Sequence, residues 1–256
     1  MSEVLRERRG HIEILTINRP EARNAINGAV SRGFAAAFDE LETDDDCWVV
    51  IVTGSGDKAF SAGMDLKAFT AGEGGDIMGA KGGFAGIAQR QFAKPIIAAV
   101  NGSALAGGCE IMLSCDLVVA VEGAKFGIPE VKRGLIAGAG ALIRLPKRIP
   151  PAIALELALT GEPIDARRAL ELGLINRVVP ADRLMEESLA LANTIAENAP
   201  LAVRVSKRLM KQAGEVPDAE GWALNNAAVP EVFGSADAME GPIAFAEKRK
   251  PNWSGK

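Results

Sequence analysis

The chain has 256 residues, 48% of them hydrophobic, and a formal net charge of −4. That length supports one substantial core with a small appended piece, and the apolar content is too high for disorder. The acidic balance argues against a nucleic-acid footprint or a basic membrane surface, although a few local cations can still hold phosphate.

Residues 1–10 are charged and lack the apolar stretch of a signal peptide. Ile12-Glu13-Ile14-Leu15-Thr16-Ile17 alternates as a strand does, and Asn18-Arg19-Pro20 ends it. Ala29 to Leu41 has apolar residues at helical spacing. Trp48 to Thr53 reads as a buried strand followed by a Gly54-Ser55-Gly56 turn. The glycine-rich stretch from Ala71 to Gly83 predicts a mobile loop. Pro95 to Val100 is another buried strand, a helix is expected from near Gly107, and Leu117 to Val121 is the next strand. Beyond Gly138 the pattern turns helical: Ile149 to Thr160, Asp165 to Leu172 and Ala181 to Ala199, with a short strand at Ile175 to Val179. Strands alternating with helices, then a helical C-terminal region, predict an α/β core with helical additions. No internal repeat is visible in the residues, and no apolar run is long enough to span a bilayer.

Several chemistries are argued against. Cys47, Cys109 and Cys115 have no CxxC spacing, which disfavours a disulfide framework or zinc site and suits a reducing cytoplasm. His11 is the only histidine, so a serine or cysteine triad lacks its base. Ala59-Phe60-Ser61-Ala62-Gly63 lacks the first glycine of a nucleophile elbow. Gly74 to Lys81 puts Ala80 where a P-loop needs lysine. Gly138-Ala139-Gly140-Ala141 lacks the last glycine of a dinucleotide fingerprint. Cys109 reads as a small buried thiol before it reads as a nucleophile.

Two carboxylates remain. Glu110 follows Gly107-Gly108-Cys109, and Glu130 follows Phe126-Gly127-Ile128-Pro129. Both lie in apolar, glycine-rich surroundings where an uncompensated charge is costly. Small residues let a ligand approach the backbone, and a helix starting at Gly107 would aim unpaired N–H groups at it. The same segment also reads as a plain helix start with a dipole-compensating Glu. Met64 could offer a second N–H, and Asp65 suits a helix N-cap. Glu130 is either a general acid–base group with a raised pKa or a partner for Lys132 or Arg133.

Taken together and in order, these segments resemble the enoyl-CoA hydratase/isomerase (crotonase) superfamily. The resemblance runs through Asn18 to Ala25, Ala59 to Leu66, Ala98 to Glu110, Phe126 to Glu130, Gly134 to Gly140 and Ala169 to Val179. Gly82 to Gly86, Ile149 to Ile153 and Glu240 to Arg249 are most similar to its carnitinyl-CoA dehydratase branch.

The resemblance implies a spiral of ββα units over residues 1–195 and a helical trimerisation region over 196–256, in trimers or paired trimers. It implies an acyl-CoA thioester substrate with no separate cofactor or metal. Met64 and Gly107 match the oxyanion-hole amides, and Glu110 and Glu130 the two catalytic glutamates of true hydratases. Having both favours adding or eliminating water over an isomerase using Glu130 alone. A non-catalytic acyl-CoA-binding trimer is the reading from another class. Arg23, Ala25, Ala62, Asp65, Leu66, Gly108, Pro129, Leu135 and Lys248 match substrate-binding positions. Among these, Arg23 belongs to the nucleotide site, and Lys248 with Arg249 to a segment that reaches a neighbouring subunit. Ala137 stands where hydratases often have proline, and Ala141 where a final glycine is common. Both departures put acyl-chain preference in doubt more than reaction type.

Overall fold

A computed structural model describes residues 2–256. Val4–Arg9 (β1) and Ile12–Ile17 (β2) form an antiparallel hairpin at the edge of a six-stranded sheet. Val49–Gly54 (β3), Ala59–Ser61 (β4), Ile96–Val100 (β5), Ser103–Leu105 (β6), Leu117–Val121 (β7), Lys125–Gly127 (β8), Ile164–Asp165 (β9) and Arg177–Val179 (β10) complete the strands. The large sheet has the order β1-β2-β3-β5-β7-β10, parallel from β2 onward. The small sheet has the order β4-β6-β8-β9, with only β9 antiparallel.

The helices are Gly28–Thr43 (α1), Leu66–Ala68 (α2), Gly74–Gly79 (α3), Gly107–Ser114 (α4), Ala141–Arg148 (α5) and Pro151–Thr160 (α6). Ala166–Glu171 (α7), Leu184–Ala196 (α8), Pro200–Ala213 (α9), Asp218–Phe233 (α10) and Ala236–Glu247 (α11) follow. Each long strand of the large sheet from β3 to β7 is followed by a short strand of the small one. The chain therefore advances as β3-β4, β5-β6 and β7-β8, with a helical turn after each pair. This is the expected spiral. It repeats in space although the residues carry no repeat, because each unit need only supply an apolar strand and a tight turn.

The core lies between the large sheet and its helices. Val49 to Val52 are buried throughout, as a strand covered on both faces requires. Asn27 caps α1 by accepting the Val30 N–H at 3.0 Å, and α1 buries Val30, Phe34, Phe38 and Leu41. His11 sits in the β1–β2 turn, stacked on Trp48 with centroids 3.6 Å apart and Nδ1 2.8 Å from the Asp46 carbonyl oxygen. Its role is structural.

One sequence expectation is corrected, that of a mobile loop from Ala71 to Gly83, and two sets of strands have no counterpart in the sequence reading. The charged N-terminal stretch forms edge strand β1, whose Arg6 and Arg8 pair with the buried Glu13 at 2.8 and 2.7 Å. The predicted loop from Ala71 to Gly83 is largely folded: a wide π-helical turn over Phe69–Glu73 runs into α3. Ile77 of α3 is fully buried, and Glu73 accepts the Gly28 N–H at 2.9 Å. Those anchors lie on α1, so a local reading of the glycines could not see them. The short strands β4, β6, β8 and β9 were also not legible, being too short for period-two alternation.

α9 is tied to the core by Lys207, whose Nζ reaches Asp116 Oδ2 and the Lys94 carbonyl, each at 2.6 Å. Among the described residues no helix is long and apolar enough to cross a membrane.

Candidate active site

Strands β4 and β6 end side by side, so the segments that follow them, Ala62-Gly63-Met64 and Ala106-Gly107-Gly108, meet. Ile26 donates to the Gly63 carbonyl at 2.8 Å and accepts from Asp65 at 2.9 Å. This bridge brackets Met64 and leaves its own N–H turned away from Ile26. Gly107 opens α4, where an N–H has no intrahelical acceptor. Among the described residues neither the Met64 nor the Gly107 N–H finds a backbone partner. Ala106, just before, takes the unusual φ of 52° and donates to the Gly127 carbonyl at 2.9 Å. Its strained backbone sets the sharp entry into α4.

The glycines here are steric requirements. A Cβ on Gly63, which has φ +90°, would stand 2.7 Å from the Gly107 nitrogen. One on Gly108 would lie 2.0 Å from the Ser61 carbonyl oxygen, and one on Gly107 2.5 Å from the Phe84 ring.

Glu110 lies in the first turn of α4 and is 3% exposed. Its Oε1 accepts the backbone N–H groups of Ala139 at 2.7 Å and Ala141 at 3.1 Å. Burial pushes its carboxyl up to about 7 and the charge of Glu130 adds to that, while the two amides and Arg144 pull the other way. Glu130 follows Pro129 on the 3-10 turn Pro129–Arg133. Its Oε2 is buried without a hydrogen-bond partner. Burial raises the Glu130 pKa too, against a weaker pull from Arg133. The pairing considered for it does not form with Lys132, which binds Glu162 instead. The charge of Glu130 thus reaches the buried site of Glu110. Cys109 is buried and its thiol is pushed up to about 12, which leaves it neutral and unreactive. Among the described residues no three metal-ligating side chains gather.

Away from the glutamates, Arg23 adopts φ 53° at the end of a 3-10 turn and lines two adjoining pockets of about 290 and 320 Å³. Lys58 lines both with it, and Ala62 and Leu105 continue the second towards Gly63. Sequence reading passed over Lys58. Its signal was its place one residue ahead of the Ala59-Phe60-Ser61-Ala62-Gly63 run.

The other matched positions divide. Ala25 and Gly108 are buried, and the Ala25 carbonyl accepts from Arg19 at 2.6 Å. Asp65 caps α2 through Lys67 and Ala68 and pairs with Arg19 at 2.9 Å, so its carboxylate is committed within the chain. Leu66 is exposed beside it. Leu135 is exposed, and its N–H donates to the Glu130 carbonyl at 3.1 Å. Lys248 ends α11 in an αL conformation and lines neither Arg23 pocket within one chain. Its neighbour Arg249 is taken up by Glu240 and Glu247.

A parallel-stranded spiral, two free amides, a buried glutamate and a half-buried one define a class of protein, and comparison with known proteins agrees. The chain belongs to the enoyl-CoA hydratase/isomerase family, whose sequence model matches residues 7–256. It is 44% identical over 262 aligned residues to a carnitinyl-CoA dehydratase of Salmonella typhi, with both chains covered in full. Among solved structures it is similar to an enoyl-CoA hydratase from Mycobacterium tuberculosis, with a TM-score of 0.96, 50% identity and full coverage of both chains. It is also similar to a carnitinyl-CoA hydratase from Mycobacterium avium, with a TM-score of 0.79, 46% identity and again full coverage of both.

Proposed function

We propose that this chain is an enoyl-CoA hydratase, acting in reverse as a 3-hydroxyacyl-CoA dehydratase. The observation that carries the reading is the pair of glutamates: buried Glu110 is held by two amides, and half-buried Glu130 keeps one buried oxygen, Oε2, without a partner. A group bound between them would meet one carboxylate on each side.

The thioester carbonyl oxygen would accept the Met64 and Gly107 N–H groups, which stabilise negative charge as an enolate develops. Glu110 takes a proton from water as its oxygen bonds to Cβ. Glu130 delivers a proton to Cα, so that the elements of water add across the double bond. Dehydration reverses both transfers. Arg23 and Lys58 supply the local positive charge that the phosphates of coenzyme A require on an acidic protein.

The helical region 196–256 is read as a trimerisation region. It exposes Met210, Trp222, Phe233, Met239 and Phe245, an apolar load large for a free surface. A cytoplasmic location belongs to the same reading, supported by three free cysteines.

Hydration of crotonyl-CoA, followed as loss of its conjugated absorbance, tests the proposal. Turnover that also needs Glu110 supports it. Double-bond migration without hydration would point to the isomerase reading, and acyl-CoA binding without turnover to a binding protein.

A further inference from the structure

Glu110 does not hold its loop amides unaided. The turn from Gly138 to Ala141 that supplies them is gripped from its far side by Arg144. One arm of the guanidinium, Nη1, donates to the Ala139 carbonyl at 3.2 Å, and the other, Nη2, donates to the Ala88 carbonyl. The guanidinium also approaches Gly140, whose φ is +114°, through Nη1: a Cβ there would stand 2.2 Å from that nitrogen. The Arg144 backbone N–H donates to the Gly140 carbonyl at 3.0 Å. Residue 139 is therefore held at both ends, its carbonyl by Arg144 and its N–H by Glu110.

The second arm extends the connection. Ala88 donates its N–H to the Phe84 carbonyl at 3.1 Å, and the Phe84 ring packs where a Gly107 side chain would be. One short segment thus touches both Gly107 and Arg144. Both carbonyls could be satisfied by water. What a planar two-armed cation adds is a fixed relation between two separate segments, which a lysine point charge does not give.

We propose that Arg144 is a positioning residue for Glu110: by clamping Ala139 to Ala88 it holds the 138–141 turn in the conformation that aims two amides at the carboxylate. The charged groups facing Glu110 are Glu130, which raises its pKa, and Arg144, which lowers it; the charge of Arg148 in turn lowers the pKa of Arg144, after burial. Cys109, adjacent in the chain, stays neutral. Losing Arg144 removes a cation and loosens two amides, and both effects favour the protonated glutamate.

The kinetic arm of the test rests on the hydratase reading; the titration arm does not. In Arg144→Met, the Glu110 carboxyl, followed by carbon-13 NMR and assigned with Glu110→Gln, is expected to titrate about one unit higher than in wild type. Crotonyl-CoA turnover is expected to fall on the order of 10²-fold in kcat, with KM within about threefold and the acid limb of the pH profile moved up. Free guanidinium ion should recover part of the loss. Gly140→Ala, which pushes the guanidinium off the turn while keeping its charge, should move the titration the same way, and serves if Arg144→Met does not fold. An unchanged Glu110 titration alongside a lowered Tm would overturn the proposal, leaving Arg144 only a stability role. Full restoration by Arg144→Lys would also overturn it, since charge alone would then suffice. If wild type fails to hydrate any acyl-CoA, the hydratase reading falls, while the titration still decides the role of Arg144.

Discussion

Gly63 and Gly107 approach so closely that a methyl group on the first would stand 2.7 Å from the amide nitrogen of the second. Gly63→Ala must therefore push the two free amides apart as well as strain a backbone at φ +90°. We expect kcat for crotonyl-CoA hydration to drop on the order of 10²–10³, the loss typical of one oxyanion donor. The thermal midpoint should fall as well. Steady-state kinetics at a temperature where the variant stays folded separates the two effects, and an unchanged kcat would remove these amides from the mechanism.

Glu110→Gln and Glu130→Gln each keep the shape of the side chain and remove a proton carrier. Each is expected to lower kcat by about 10²–10⁴ with little change in KM. Their stability effects should differ. Glu130 has a buried oxygen with no partner, so its amide variant should be as stable as wild type or more so. Full turnover in Glu110→Gln would rule out a two-carboxylate mechanism.

Stability should vary with pH through Glu110. Its carboxyl lies at about 7 in the folded chain, against an ordinary glutamate value of 4.5, chiefly because of burial. Between those values the folded chain holds a proton that the unfolded chain has released. Its stabilising contribution is therefore complete below 4.5, is lost as pH rises towards 7, and is flat above. Relative to Glu110→Gln, wild type should lose up to about 3 kcal/mol across that window. Denaturation curves of both proteins at pH 5 and pH 7.5, about half a unit outside or inside each end of the window, give the difference. A difference that does not change with pH would mean Glu110 titrates normally.

Arg23 and Lys58 share both pockets and should act on the nucleotide end of the substrate alone. Arg23→Ala and Lys58→Ala are expected to raise KM for crotonyl-CoA roughly tenfold at low salt, with kcat retained. The effect should shrink as ionic strength rises. Crotonyl-pantetheine, which lacks the nucleotide, should not distinguish these variants from wild type. If it does, the two cations act on the chemistry instead of on phosphate.

The long elements were legible where the pattern was local. Trp48 to Thr53 and Leu117 to Val121 are apolar runs that only a covered strand accommodates, and Ala29 to Leu41 carries its helix in its spacing. The two glutamates and their neighbouring glycines stood out because charge among small apolar residues is costly unless it is used. The stretch from Ala71 to Gly83 was misread because what orders it, Gly28 and the pocket that buries Ile77, belongs to α1. Lys58 was passed over because its place just ahead of the Ala59 to Gly63 run does not by itself bring it beside Arg23.

By itself the sequence indicated the order of the long strands and helices, argued against a histidine-dependent triad, and marked which carboxylates were worth suspecting. Each of these is a matter of residue type and short-range spacing. Only the tertiary structure decided that the Met64 and Gly107 amides point free at adjacent strand ends, and that Ala139, Ala141 and Arg144 govern Glu110. Those relations join segments tens of residues apart, and distance in space is settled by how the spiral packs.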